Sequence, residues 1–398
     1  MTPWLHIIGI GEDGEAGLSP VARATLAGAE VILGGDRHHA LASNPAARRI
    51  AWPSPFDAMI DTIRGLQGQR AVVLVTGDPL WFSVGARIAS AIAPDQIVFH
   101  PAVSAFQLAA ARLGWSLADC DTISIHGRPA EQMVAFIAPG ARLLMLTTGA
   151  DTPAQVAALL TRRGYGASRM VVLAAMGGPQ EARIEALAQA WQGQVPAFNT
   201  LAVDCVALPG ALVLPRVPGL PDSAFVHDGK MTKAEVRAIT LARLMPLRGA
   251  LLWDVGAGSG SVSIEWMRAA PDARAIAIEP RADRRMLAAA NALALGTPRL
   301  DLREGAAPAA LAGLPAPDAV FIGGGLSEGA VKACLAALKP FGRLVANAVT
   351  LESEALLLAL HARHGGALSR LSVQRAEPVG GLTGWRPLMP VTQWSLMR

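Results

Sequence analysis

The residues best suited to chemistry sit in two glycine-bearing segments. In the second half of the chain, Leu251-Leu-Trp-Asp-Val-Gly-Ala-Gly-Ser-Gly260 runs from an apolar stretch containing Asp254 into Gly256, Gly258 and Gly260, and a helical pattern begins at once. Glycines at alternate positions let main chain come close to a ligand at the carboxyl edge of a sheet. The next apolar stretch ends in Glu279, where a carboxylate can accept hydrogen bonds from both hydroxyls of a ribose. Three readings compete. A dinucleotide fingerprint would place its third glycine at Ser261, which does not fit, and a purely structural glycine turn is the plain alternative. The third is the S-adenosylmethionine loop, Asp/Glu-x-Gly-x-Gly-x-Gly, which Asp254 to Gly260 matches position by position, and Glu279 favours it.

Two further segments belong to that pocket. Glu304-Gly-Ala-Ala-Pro308 follows a third predicted strand, 300–302, where main chain and a small side chain can border an adenine ring. Ala319-Val-Phe-Ile-Gly-Gly-Gly325 is a fourth strand with a glycine mouth. The Asp/Asn-Pro-Pro-Tyr that holds an exocyclic amino group in many methyltransferases is absent there. A carbon nucleophile therefore stays open.

In the first half, Gly9, Gly11 and Gly14 form a GxGxxG after the first strand, but helix onset waits until Ser19 and the strand 31–35 ends without an acid. This argues against a dinucleotide site. Val75-Thr-Gly-Asp-Pro-Leu-Trp81, His100-Pro-Ala-Val-Ser-Ala-Phe106 and Leu146-Thr-Thr-Gly149 also end predicted strands. Asp78 before Pro79 reads equally well as an ordinary Asx-turn residue.

The elements that must position these loops alternate. Strands are expected at 5–10, 71–76, 96–100, 122–126, 142–147, 170–174 and 200–208, and helices at 19–28, 56–66, 104–113 and 152–163, the last capped by Thr152. The stretch 208–222, with four prolines, reads as a linker, and beyond it the alternation restarts with helices at 233–244, 262–268 and 281–295 and strands at 250–255, 275–278 and 343–348. The fold class is α/β with largely parallel sheets, in two domains at 1–215 and 216–398.

The 398 residues are 52% hydrophobic and 17% charged, with mean hydropathy +0.35, yet no uncharged stretch offers the ~20 apolar residues of a spanning helix. Early acids Glu12, Asp13 and Glu15 argue against a secretory leader. Cys120, Cys205 and Cys334 have no CxxC spacing and read as buried thiols in a reducing, cytoplasmic setting. A net charge of +4 suits an acidic small molecule at least as well as nucleic acid, since no Lys/Arg block of five or more exists and only one Tyr is present for stacking. His38-His39 and the His361/His364 pair lack partners at metal-ligand spacing, so no metal is expected.

The four N-terminal segments together resemble the tetrapyrrole methylase family, in which a G-x-G, a G-D-P and a P-G-x-S pattern follow in that order. Here Ala102 stands in the glycine place of the last. The resemblance implies a two-subdomain tetrapyrrole methylase fold and S-adenosylmethionine contacts at Gly9, Gly11, Glu12, Asp78, Trp81, Ser104, Ala105 and Thr147. The second half, through Gly229-Lys-Met-Thr-Lys-Ala-Glu-Val-Arg237, the 254–260 loop, Glu304–Pro308 and Ala346–Glu352, resembles the Rossmann-like class I methylase and decarboxylase of the same cobalamin-forming pathway. It implies contacts to a second S-adenosylmethionine at Thr232, Gly256, Ala257, Gly258, Ser259, Gly260, Glu279 and Ala307. The implied substrate is a small polycarboxylate tetrapyrrole, methylated at C5 by the first domain. The second domain would methylate C15 and remove the ring C acetate carboxylate. No nucleic-acid or membrane partner is implied, and the family habit is a homo-oligomer, dimer or tetramer. Within the second domain, cations Lys230, Lys233 or Arg237 are expected to position the acetate, with Glu352 as a proton relay. The alternative reading of Lys233 and Arg237 is an exposed helical face.

Overall fold

The computed structural model describes residues 3–398. The chain divides into two units. One runs to Ala130 and resumes at Ala138–Leu212; the other holds Glu131–Ile137 and Val213–Arg398.

The first unit contains two sheets. Strands β1 (Leu5–Ile10), β2 (Val31–Gly34), β3 (Arg48–Ala51), β4 (Ala71–Thr76) and β5 (Ile97–His100) form a wholly parallel sheet in the order β3-β2-β4-β1-β5. Runs such as Ala71-Val-Val-Leu-Val75 are apolar at every position because both faces are covered. Successive residues point to opposite faces. Ile7, Leu33 and Val73 thus meet Met59 and Ile63, while Ile8, Ile32 and Leu74 meet Leu18, Ala22 and Leu26. The covering helices are α1 (Pro20–Ala27), α2 (Asp36–Leu41), α3 (Met59–Arg64) and α4 (Gly85–Ala89). Ser19 caps α1 by accepting the Ala22 N–H at 3.2 Å. With β1 lying between β4 and β5, the loops leaving the carboxyl ends of all three are brought together.

The second sheet of this unit departs from the parallel expectation. Its strands β6 (Cys120–Ser124), β7 (Arg142–Leu146), β8 (Arg169–Ala174), β9 (Ala182–Leu187) and β10 (Asn199–Asp204) run in the order β6-β7-β10-β8-β9, and only β6 and β7 are parallel. The last strand inserts between β7 and β8 and opposes both. Strand β9 went unforeseen because its Arg183 and Glu185 break the apolar run; they mark a one-sided edge strand. Helices α5 (Ala105–Leu113) and α6 (Thr152–Arg162) complete the unit. The cap of α6 is Asp151 rather than Thr152, whose hydroxyl instead accepts from the N–H groups of Thr148 and Gly149 at 3.3 Å.

The second unit is built on one seven-stranded sheet, β13-β12-β11-β14-β15-β19-β16. Its members are β11 (Leu251–Val255), β12 (Arg274–Ile278), β13 (Asp301–Arg303), β14 (Ala319–Ile322), β15 (Arg343–Ala348), β16 (Ala367–Leu371) and β19 (Val391–Met397). The strands from β13 to β15 are parallel, and β19 runs antiparallel between β15 and β16. Strands β17 (Gln374–Val379) and β18 (Leu382–Pro387) form a separate hairpin. Helices α7 (Ala234–Leu244), α8 (Ser261–Ala269), α9 (Ala282–Ala294), α10 (Glu328–Ala337) and α11 (Leu351–His364) flank the sheet. Strand β11 lies where the order reverses, so its carboxyl end opens a crevice.

The proline-rich stretch is only partly a linker. Leu214 and Leu220 are buried in the second unit, and the N–H groups of Gly219 and Leu220 donate to Glu265 at 2.6 and 3.0 Å. Cys205 and Cys334 are buried as expected, whereas Cys120 is partly exposed and its thiol donates to the Ser116 carbonyl at 3.2 Å. Among the described residues no helix is long and apolar enough to cross a membrane.

Candidate functional sites

In the first unit, the loops after β1, β4 and β5 close on one another. A Cβ at Gly9 would lie 2.0 Å from the Gly77 carbonyl and 2.9 Å from Ala102 Cβ, so only glycine lets these loops meet. Gly77 has φ +62°, and a Cβ there would come within 3.1 Å of Ser104 Cα. At Gly11 a side chain would strike Asp13 Oδ1 at 2.6 Å. Asp78 is an Asx-turn residue, its Oδ1 accepting from Leu80 N–H at 2.7 Å. Trp81, about half exposed at 45%, in the loop after β4, has its ring centre 6.2 Å from that of Phe106 on α5. Ser104 caps α5 reciprocally with Gln107, its N–H donating to Gln107 Oε1 at 2.8 Å, and Ala105 begins the helix.

Two of the expected contact residues are committed elsewhere. Thr147 immediately follows β7 in the second sheet; its hydroxyl donates toward Asn199 O and Oδ1, both at 2.9 Å, and His126 Nδ1 donates to its carbonyl at 2.9 Å. It ties strand ends together instead of presenting a hydroxyl. Glu12 is ion-paired with Arg37, which also bonds Thr76 and stacks its guanidinium 4.3 Å from the centre of the Phe198 ring. His38 joins this group, its Nε2 2.9 Å from Thr76 Oγ1, while its Nδ1 accepts the Gly35 N–H at 3.2 Å. Burial and the adjacent Arg37 push the His38 imidazole down to about 4, so it is neutral at pH 7. Neither Arg37 nor His38 stands in a glycine motif, so the sequence carries no local sign of them.

In the second unit a cleft of about 240 Å³ opens at the carboxyl end of β11. Thr232, Gly256, Ala257, Gly258, Ser259, Glu279 and Ala307 all line it, as do Lys230, Met231 and Gly323–Gly325. Gly260 does not. It starts α8 at φ +77°, where a Cβ would press on Ala288 Cβ at 3.0 Å, so its role is to let α8 and α9 pack closely. Gly256, at φ +72°, faces Gly324 so tightly that a Cβ would lie 2.5 Å from Gly324 Cα. The cleft floor is therefore made of main chain.

Polar groups converge on that floor. Glu279 is 2% exposed, and its carboxylate accepts from Gly258 N–H at 2.9 Å and Arg281 N–H at 3.1 Å. Asp254, behind the loop, holds Ser263 through its N–H and hydroxyl at 3.1 and 2.7 Å, and burial pushes its carboxyl up to about 6. Its other oxygen and the buried Ser259 hydroxyl have no hydrogen-bond partner. A side-chain-free floor, an enclosed carboxylate, a spare hydroxyl and the small Ala307 fit a nucleoside with a charged amino-acid tail.

The expected acetate-binding cations are placed unequally. Arg237 is fully buried: its Nε donates to Glu265 at 2.6 Å, and its other nitrogens reach Asp222 at 3.3 Å, the Thr232 carbonyl at 2.6 Å and the Leu220 carbonyl. It is an internal strut, neither a substrate cation nor part of an exposed face. Lys233 caps α7, its ammonium 3.4 Å from the Gly229 carbonyl. Lys230 is the one of the three that lines the cleft, alongside Arg281 and Arg284. Glu352 is exposed in the first turn of α11, just beyond β15, and is not among the cleft-lining residues.

Known proteins echo both halves. The family model "Tetrapyrrole (Corrin/Porphyrin) Methylases" matches residues 4–190, and "Precorrin methyltransferase domain" matches 223–398. A precorrin-6Y C(5,15)-methyltransferase (decarboxylating) from a Sinorhizobium species is 48% identical over 398 residues, covering 99% of this chain and 96% of that protein. One from Mycobacterium tuberculosis is 41% identical, with 98% and 99% covered. The crystal structure of the C-terminal domain of precorrin-6Y C5,15-methyltransferase from Rhodobacter capsulatus is 55% identical, covering 46% of this chain and 100% of that one, with a TM-score of 0.44.

Proposed function

Since the chain belongs to the family of precorrin-6Y C(5,15)-methyltransferases (decarboxylating), methyltransferases that use S-adenosylmethionine, we propose that it methylates precorrin-6Y at C5 and C15 and decarboxylates the ring C acetate. The first unit carries the C5 transfer, and the second carries the C15 transfer and the loss of carbon dioxide. Each unit holds its own S-adenosylmethionine, giving two sites per chain. The chain works as a cytoplasmic homo-oligomer on this small tetrapyrrole.

The observation that supports this division is that each unit has its own side-chain-free junction at the carboxyl edge of a parallel sheet, Gly9 against Gly77 and Gly256 against Gly324. Bound S-adenosylmethionine supplies a methyl group already activated by the sulfonium charge. The protein's share is alignment and exclusion of water, worth about 7–11 kcal/mol when geometry is right. In the second unit Glu279 takes the ribose hydroxyls, Ala307 borders the base, and Ser259 with the loop N–H groups meets the amino-acid tail. Lys230 and Lys233 face the acetate carboxylate, the conjugated macrocycle takes up the electrons released with carbon dioxide, and Glu352 relays the proton to carbon.

Mass spectrometry of the product formed by the full chain tests the division. Gly9→Val is expected to abolish C5 methylation alone, and Gly256→Val to abolish C15 methylation together with carbon dioxide release. Loss of both methyl groups in either folded variant contradicts it.

A further inference from the structure

Within the second unit, the segment 226–232 lies along one side of the cleft, to which Lys230, Met231 and Thr232 contribute. Side chains from α7 and α9 hold it, mostly by its main chain. Asn291, on α9 and 1% exposed, accepts the Val226 N–H at 2.8 Å and returns an N–H to the Val226 carbonyl at 2.9 Å, a two-point clasp. Its second N–H goes to the Ser259 carbonyl at 3.0 Å, in the glycine loop that also lines the cleft. The amide thus spends both of its donors and an acceptor on two different walls of one cavity, and only one orientation of the amide satisfies all three. The Val226 side chain is 62% exposed, so the clasp grips backbone rather than filling a pocket.

Two other ties hold the same segment. Arg284 Nε and Nη2 donate to Asp228 Oδ2 at 2.9 and 2.7 Å, and Arg237 takes the Thr232 carbonyl. The Arg284–Asp228 pair is partly exposed, at 19% and 30%, whereas Asn291 is sealed. A sealed three-bond amide is the stronger constraint, because its loss strands buried polar groups.

We infer that Asn291 is a positioning residue for cofactor binding in the second unit: it fixes the separation between the 226–232 strap and the glycine loop, while Arg284–Asp228 acts as an outer latch. It touches no reacting atom; it sets where Thr232 and Ser259 stand. This rests on the reading of the cleft as an S-adenosylmethionine site.

The test is calorimetric titration of the full chain with S-adenosylhomocysteine, together with hydrogen exchange of residues 226–232 in the absence of ligand. Asn291→Ala is expected to leave the first unit's site at wild-type affinity, to weaken the other by about tenfold or more, the equivalent of one lost buried hydrogen bond, and to speed exchange in the strap. Asn291→Asp, which keeps the acceptor for Val226 N–H but turns a buried carboxylate oxygen toward the Val226 and Ser259 carbonyls, is expected to weaken that site at least as much as Ala, and Asn291→Ser, smaller and uncharged, carries the test if those variants do not fold. For C15 methylation, KM for S-adenosylmethionine rises more than kcat falls. Wild-type affinity at both sites in Asn291→Ala and Asn291→Asp, or a kcat loss with unchanged KM, overturns the inference. No binding by the wild-type second unit counts instead against the cofactor reading.

Discussion

Arg237 and Glu265 meet at 2.6 Å with both side chains closed to solvent, the first on α7 and the second on α8. Glu265 also accepts from Gly219 and Leu220, and Arg237 reaches back to the Leu220 carbonyl, so one ion pair joins two helices to the proline-rich entry segment. Removing either partner leaves an uncompensated buried charge. Arg237→Ala is expected to destabilise the second unit by about 3–5 kcal/mol. Lys233→Ala, half-buried at the head of the same helix, is expected to stay within about 0.5 kcal/mol of wild type. Urea unfolding of the full chain checks this; equal midpoints for the two variants contradict the strut.

The Gly256–Gly324 junction separates two kinds of glycine in one loop. Gly256→Ala adds a left-handed-region penalty of about 1–2 kcal/mol and drives Cβ into Gly324 main chain. Gly258, at φ +58°, has open space where its Cβ would go, and that space is the cleft. Gly258→Ala is therefore expected to cost about 1 kcal/mol of stability yet lose S-adenosylhomocysteine affinity at least tenfold, whereas Gly256→Ala loses both. Thermal unfolding beside calorimetric titration distinguishes them, and a Gly258→Ala protein with wild-type affinity sinks the assignment of that space.

The contrast between these residues and Arg237 shows what a sequence makes legible. Positive-φ glycines after an apolar strand, with an acid ending the next strand, are local signals, and they led directly to Gly256, Gly258 and Glu279 lining one cleft. The parallel strands were equally plain because burial on both faces makes apolar runs. Arg237 looked like a substrate cation because nothing local reports that Glu265, 28 residues on, would neutralise it. The pairing of Glu12 was equally hidden, since its partner Arg37 comes from the next strand–helix turn. The antiparallel half of the first unit was hidden in β9, whose alternating Arg183 and Glu185 resemble a loop. Long-range pairing, rather than local pattern, decided each miss.

The cleft distinguishes Lys230 from its neighbours in the same motif. Lys230 lines the cleft, Lys233 bonds the Gly229 carbonyl, and Glu352 stands outside the lining. Lys230→Ala is expected to raise KM for the tetrapyrrole about tenfold, as for one lost charge-assisted hydrogen bond, with little change in stability. Glu352→Gln is expected to slow carbon dioxide release more than C15 methylation. Timed assays of gas release and methyl incorporation in the same reaction measure both. Unchanged release in Lys230→Ala, Lys233→Ala and Glu352→Gln removes all three from the decarboxylation.

Asp254 makes the second unit's stability depend on pH in an unusual direction. Burial raises its carboxyl from 3.8 to about 6 in the folded chain, so the folded state holds the proton more tightly than the unfolded one. The resulting stabilisation is complete below pH ~4 and is lost as pH rises through ~6, leaving a charged, half-satisfied carboxylate that costs about 3 kcal/mol at neutral pH. Asp254→Asn can still accept from Ser263 and has no charge to desolvate. The variant is expected to be more stable than wild type at pH 7.5 by up to that amount, with the advantage shrinking to nothing near pH 4. Taking the difference between the two proteins at each pH cancels the titration of distant groups such as His38. Cofactor affinity is expected to change much less in Asp254→Asn, because Asp254 stands behind the glycine loop and does not line the cleft. Urea titrations across pH 4–8, run with and without S-adenosylhomocysteine, measure both trends, and a stability difference that does not vary with pH rules out Asp254 as their source.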